Sequence, residues 1–80
     1  MDITLFVTKR CAACDRVRAA LEKITTGRGH INLYIEDIRK VRSKGIVIVP
    51  ALFIEDELYA YGDIDEEKFL ERLHIHSLSN

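Results

Sequence analysis

Residues 7–21 read VTKRCAACDRVRAAL, and they hold both cysteines of an 80-residue chain, Cys11 and Cys14. Upstream, Ile3, Leu5 and Val7 alternate with Thr4 and Phe6, the period of a β-strand with apolar residues on each face. A strand of that kind is expected to be covered on both sides. Downstream, Ala13, Val17, Ala20, Leu21 and Ile24 recur at helical spacing, with Asp15, Arg16, Arg18, Glu22 and Lys23 turned away. The cysteine pair therefore sits where a strand feeds a helix. A structural disulfide, half of a metal site, a redox centre or two plain buried cysteines would all place thiols there.

Composition narrows these options. Eighty residues make one small domain, 1–80, near the lower size limit for independent folding. A hydrophobic fraction of 48% and a charged fraction of 31% are ordinary for a globular chain. The formal net charge of -1 carries no footprint for nucleic acid or an acidic membrane, so neither is an expected partner, and a monomer is expected. The start, MDITLFVTKR, has too short an apolar run for a signal core or a membrane span, which makes the cytoplasm the expected location. Thiols there are kept reduced, so a close pair is more often catalytic or metal-binding than structural. A disulfide across so short a loop also adds little stability, since the entropic gain grows with loop length. The metal reading lacks its second half. Cys-x-x-Cys needs two more ligands, and the remaining soft candidates are His30, His74 and His76. His74 and His76 point to different sides of a helix, so no metal site is expected.

The rest of the chain supplies further elements. TTGRGH at 25–30 breaks the helix, with Gly27 as its stop. Residues 31–38 alternate as a second strand, with Ile31, Leu33 and Ile35 inward. RKVRSKG at 39–45 is a basic connector, long enough for one helical turn or a loop, and reads as a solvated face. IVIVPALFI at 46–54 is an apolar run interrupted by the one proline, Pro50, placed at the start of a third strand over 50–54. EDE turns the chain into a fourth strand, Leu58 to Tyr61, ended by Gly62, with Tyr59 and Tyr61 read as hairpin or core packing. DIDEEKFLERLHI at 63–75 is a helix with Asp63 or Asp65 as N-cap, an Asp63–Glu66 capping box, and Ile64, Phe69, Leu70 and Leu73 as its buried stripe. Residues 75–80 are expected to fray. The order is β-α-β, a connector, then β-β-α. This is an α/β chain with a four-stranded mixed sheet and helices on both faces.

The position of the pair has a chemical consequence. Backbone N–H groups at a helix N-terminus stabilise an anion, so the thiolate of Cys11, at or just before the first turn, is favoured. Lys9 and Arg10 add positive charge upstream, and Asp15 opposes them. Cys14 shares a face with Val17 and Leu21 and should be the less accessible thiol. Such an asymmetry suits two-step exchange, in which Cys11 attacks a substrate disulfide and Cys14 then releases the product. The small Ala12 and Ala13 leave room for a bulky partner.

These residues together resemble the thioredoxin/glutaredoxin superfamily, and most of all the small archaeal and bacterial thioredoxin-like proteins of minimal length. The resemblance is carried by CAAC at 11–14, IVIVPALFI at 46–54 and ELYAYGDIDEEKFLERL at 57–73, and it covers nearly the whole chain. It implies a thiol–disulfide oxidoreductase whose redox centre is a Cys11–Cys14 disulfide, with Cys11 the nucleophile and Cys14 the resolving thiol. It implies that Pro50 is the family's cis-proline. Val49 would then offer its backbone to an extended substrate, beside Lys9 and Arg10. The implied partners are a disulfide-containing protein or small molecule and a thioredoxin-reductase-type electron donor. No cofactor is implied beyond glutathione as a co-substrate.

The chain departs from the pattern in places. It has no tryptophan, and Arg10 stands where thioredoxins carry an aromatic residue before the motif. Ala-Ala replaces the Gly-Pro of thioredoxins and the Pro-Tyr of glutaredoxins. Lys9 lies one residue nearer the first cysteine than the glutathione-binding lysine of glutaredoxins, and YGD at 61–63 is only part of their Gly-Gly-x-Asp-Asp element. A protein-disulfide or reductase-coupled role is therefore favoured over a glutathione-dependent one. Two alternatives stand beside it. LFVT at 5–8 and YGDIDEEKFL at 61–70 are similar to the KaiB clock proteins, a thioredoxin-fold interaction module without the cysteine pair. Two chains could also pool four thiolates around zinc or an iron–sulfur cluster.

Overall fold

A computed structural model of the chain describes residues 1–40 and 48–78, with residues 74–78 described by backbone alone. The alternating apolar residues form strand β1 (Asp2–Val7), and the helical spacing forms α1 (Ala12–Thr25). Gly27, at φ +79, turns the chain after α1, in the left-handed region where a missing Cβ removes the clash. Strand β2 (Asn32–Asp37) follows, then one 3-10 turn at Ile38–Lys40. The remainder of the basic connector, 41–47, lies outside the described residues. Strands β3 (Ala51–Ile54) and β4 (Glu57–Tyr61) make the hairpin, and α2 (Glu66–Leu78) closes the order.

The sheet order is β2-β1-β3-β4. β1 is central, parallel to β2 with Val7 opposite Asp37, and antiparallel to β3 with Phe6 opposite Ala51. Register decides which residues share a face. Ile3 and Leu5 stand beside Ile54 and Leu52. On that face they meet Val17, Leu21 and Ile24 of α1 and Phe69 and Leu73 of α2 in one cluster. Each fully buried aliphatic side chain there contributes about 1.5–3 kcal/mol. Tyr59 packs edge-to-face on Phe69 with ring centroids 5.5 Å apart, which fastens β4 to α2. The opposite face carries Phe6, buried, against Phe53 at 5.4 Å. Of the helices expected on both faces, α1 and α2 share the face of Ile3 and Leu5.

One choice is settled and two local expectations are corrected. Asp65, rather than Asp63, caps α2, and its carboxylate accepts the N–H groups of Glu67 at 3.0 Å and Lys68 at 3.2 Å. The Asp63–Glu66 capping box is replaced by two ion pairs reaching α1, Arg16–Asp63 and Lys23–Glu66. Leu70 is exposed rather than buried, because α2 meets the core through Phe69 and Leu73, four residues apart, and position 70 turns about 100° from Phe69. Tyr61 is 44% exposed and packs in no core. No described helix is long and apolar enough to cross a membrane.

Candidate active site

β1 ends at Val7, and residues 8–10 carry the chain to the helix. Arg10 adopts φ +57, a left-handed conformation that costs a side-chain-bearing residue about 1–2 kcal/mol. From there Cys11 enters an extended conformation, φ -116 and ψ 103, as the N-cap of α1. Its carbonyl takes the first helical hydrogen bond, from the N–H of Asp15 at 3.1 Å. Its sulfur accepts the N–H of Cys14 at 3.1 Å, in the place where a serine or aspartate oxygen usually satisfies a free helix N–H. A thiolate at this atom gains both that hydrogen bond and the positive end of the helix.

Cys14 lies one turn in, on the face of Val17 and Leu21, and is 2% exposed, whereas Cys11 is half-buried. The two sulfurs are joined as a disulfide, with Cα atoms 5.1 Å apart. The spacing thus sorts the pair into an outer and an inner sulfur, because three residues along a helix start carry the second side chain onto the core face. No described polar or charged residue is buried, so no described acid lies beneath the inner sulfur.

Sheet register brings the second part of the site to the same end. Ala51 stands opposite Phe6, so the Val49–Pro50 peptide, which is cis, lies beyond the C-terminal end of β1, the end from which the chain runs to Cys11. Pro50 is buried and its carbonyl accepts the N–H of Gly62 at 2.8 Å, which ties the end of β4 to the cis peptide. Val49 is half-buried beside it, and Ile48 before it is 51% exposed. Tyr61, opposite Ala51, completes an apolar rim. Cys11, Cys14, Val49, Pro50, Lys9 and Arg10 are thus gathered at one end of the sheet, with Lys9 and Arg10 both exposed.

Two ion pairs at this end were not anticipated. The guanidinium of Arg16 grips both oxygens of Asp63, at 3.1 and 3.0 Å, tying the first turns of α1 to the segment before α2. That hydrogen bonding holds the Asp63 carboxyl below the usual carboxylate range and raises Arg16. Arg39 does the same to Asp37, whose carboxyl is lowered to about 2 by its hydrogen bonds from Arg39. The Asp37–Arg39 pair was open to a sequence reading, since residues two apart at a strand end often close such a turn. The Arg16–Asp63 pair spans 47 residues and leaves no local signal.

Comparison with known proteins agrees with this architecture. A search among curated proteins finds no match. The structure is similar to thioredoxin 1 from the thermophilic eubacterium Thermosipho africanus TCF52B, with a TM-score of 0.78 and 18% identity over 100% of this chain and 99% of that one. It is also similar to the thioredoxin Mala s 13 of Malassezia sympodialis, with a TM-score of 0.69 and 22% identity over 95% of this chain and 74% of that one. Identities this low speak for the fold alone. A family model, described as thioredoxin domain, matches residues 1–74, which is nearly the whole sequence. The chain belongs to the thioredoxin domain family.

Proposed function

We propose that the chain is a thiol–disulfide oxidoreductase that works through Cys11 and Cys14. The observation that supports it most is the division of the pair, with an outer sulfur held by a helix N–H and an inner sulfur 2% exposed behind it. In the reduced protein the Cys11 thiolate attacks one sulfur of a substrate disulfide. A new S–S bond forms, the substrate bond breaks, and the leaving sulfur departs as a thiolate that takes up a proton. Cys14, having lost its proton, then attacks the Cys11 sulfur and displaces the second substrate sulfur. Two electrons have passed to the substrate, and the protein is left as the Cys11–Cys14 disulfide. Ala12 and Ala13 present little bulk over the outer sulfur. The backbone of Val49, beside the cis peptide, pairs with an extended stretch of substrate, a one-residue strand addition. A reductase-type donor or glutathione returns the electrons.

The test is a redox titration of the Cys11–Cys14 couple against a thiol buffer, read by alkylation of the free thiols. The expected result is one reversible two-electron transition at ~-200 to -270 mV. A pair that forms no reversible intramolecular disulfide would remove this reading.

A further inference from the structure

Charge is unevenly distributed over this nearly neutral chain. Along β1, the far end of the sheet holds Asp2 and, across the register, the acidic hairpin tip of Glu55, Asp56 and Glu57. The site end is different. Lys9 and Arg10 follow β1, and Arg39 and Lys40 follow β2, its parallel neighbour, so all four leave the sheet on the same side. Arg39 is matched by Asp37, and Arg16 by Asp63. Lys9, Arg10 and Lys40 are exposed and have no carboxylate within 4.0 Å among the described residues. The N-terminus of α1 adds its own positive end at Cys11. Asp15, the one acid in that first turn, and the exposed Glu36, opposite Phe6 near the end of β2, oppose these cations.

A second, independent feature concerns Arg10. Its φ of +57 is a conformation that glycine or asparagine would adopt at less cost. A long cation is nevertheless held there, directly before the outer sulfur. A strained residue at a reactive centre points to a function that outweighs its cost to folding.

We propose that the substrate disulfide lies in an acidic peptide segment, with carboxylates flanking the attacked cysteine and meeting Lys9 and Arg10. Lys40 extends the same field towards β2. The proposal rests on the oxidoreductase reading and adds its substrate class. Cations of this kind act mainly on encounter, so they raise the association rate and make it salt-dependent. They also disfavour basic partners, a selection that an apolar rim alone would not make.

The experiment uses the pre-reduced full chain in single turnover, one equivalent of protein to one of peptide, so no further reductant enters. Three disulfide-bridged peptides of equal length are compared, with the attacked cysteine flanked by glutamate, by glutamine or by lysine. At low salt the glutamate peptide should react about tenfold faster or more than the lysine peptide, within the range that steering supplies. The ratio should fall several-fold as ionic strength rises past the Debye regime. In a Lys9→Gln/Arg10→Gln protein it should move close to one. Equal rates for all three peptides in the wild type, or a preference that survives the double substitution, would overturn the substrate class while leaving the oxidoreductase reading in place. Failure to reduce any of the three, the glutamine peptide included, would overturn both.

Discussion

The two ends of the β1–β3 pair each carry a residue with a side chain in the left-handed region, and the two residues have different work to do. At one end Glu55, at φ +56, is the first residue of the two-residue turn between Ile54 and Glu57. At the other, Arg10, at φ +57, delivers the chain to the N-cap cysteine. A two-residue hairpin with positive φ at its first position is a turn geometry in which glycine is favoured. Glu55 therefore sits where local chain geometry is the whole demand. Arg10 directly precedes the N-cap cysteine, and on the proposed reading its charge serves the exchange there. Similar backbone strain thus means turn closure in one place and site construction in the other. The surroundings, not the angle, tell them apart.

Substitutions can break or sharpen that contrast. The largest effect falls on what the ends share. Leu5 is 0% exposed at the middle of β1, and Leu5→Ala should cost about 2–5 kcal/mol in chemical denaturation. Both ends should then be lost in one cooperative transition, seen by hydrogen exchange and by thiol accessibility alike. Separate transitions would mean that the ends do not rest on one core. Next come the paired glycine variants. Glu55→Gly and Arg10→Gly should each relieve left-handed strain, with a net gain of at most about 1 kcal/mol after the added freedom of the unfolded chain. Glu55→Gly should leave exchange rates with acidic peptides as they are, whereas Arg10→Gly should slow them. A matching loss in both variants would erase the distinction between the ends.

The smallest effect is electrostatic. Asp37 is lowered from 3.8 to about 2 by its hydrogen bonds from Arg39. A carboxyl lowered on folding stabilises the protein above its unfolded pKa and loses that contribution as pH falls through the folded value. The melting difference between wild type and Asp37→Asn should therefore be constant above about pH 4 and shrink between pH 4 and pH 2. As an exposed pair it should also shrink with salt. A difference that grows on acidification would contradict the assignment.

Much of this architecture was legible in the letters because its signals are local. The change of period at residues 11–14 located the strand-to-helix junction, and the same spacing put Cys14 with Val17 and Leu21. Gly27 and Gly62 marked ends because only short-range backbone geometry is involved. Pro50 was different. Read alone it was a strand-start proline, and only the resemblance carried by CAAC and IVIVPALFI made it cis. What escaped depends on the packing of distant segments. Asp63 and Asp65 both carry the local mark of a cap, and the choice between them falls to Asp65 because α1 places Arg16 beside Asp63. Leu70 fits a helical stripe by spacing, yet the sheet accepts only the line through Phe69 and Leu73. The meeting of Pro50 with the end of β1 follows from the Ala51–Phe6 register, which no single segment specifies.

The central claim is that the outer and inner sulfurs have different roles, and trapping tests it most directly. Cys11→Ser and Cys14→Ser proteins, each with one thiol, would be incubated with a disulfide-bridged peptide and weighed intact by mass spectrometry. Cys14→Ser should accumulate a one-to-one mixed disulfide at Cys11, because no inner thiol remains to resolve it. Cys11→Ser should form little adduct, its remaining sulfur being buried at the start of α1. Equal adduct at both positions, or adduct mainly at Cys14, would contradict the account.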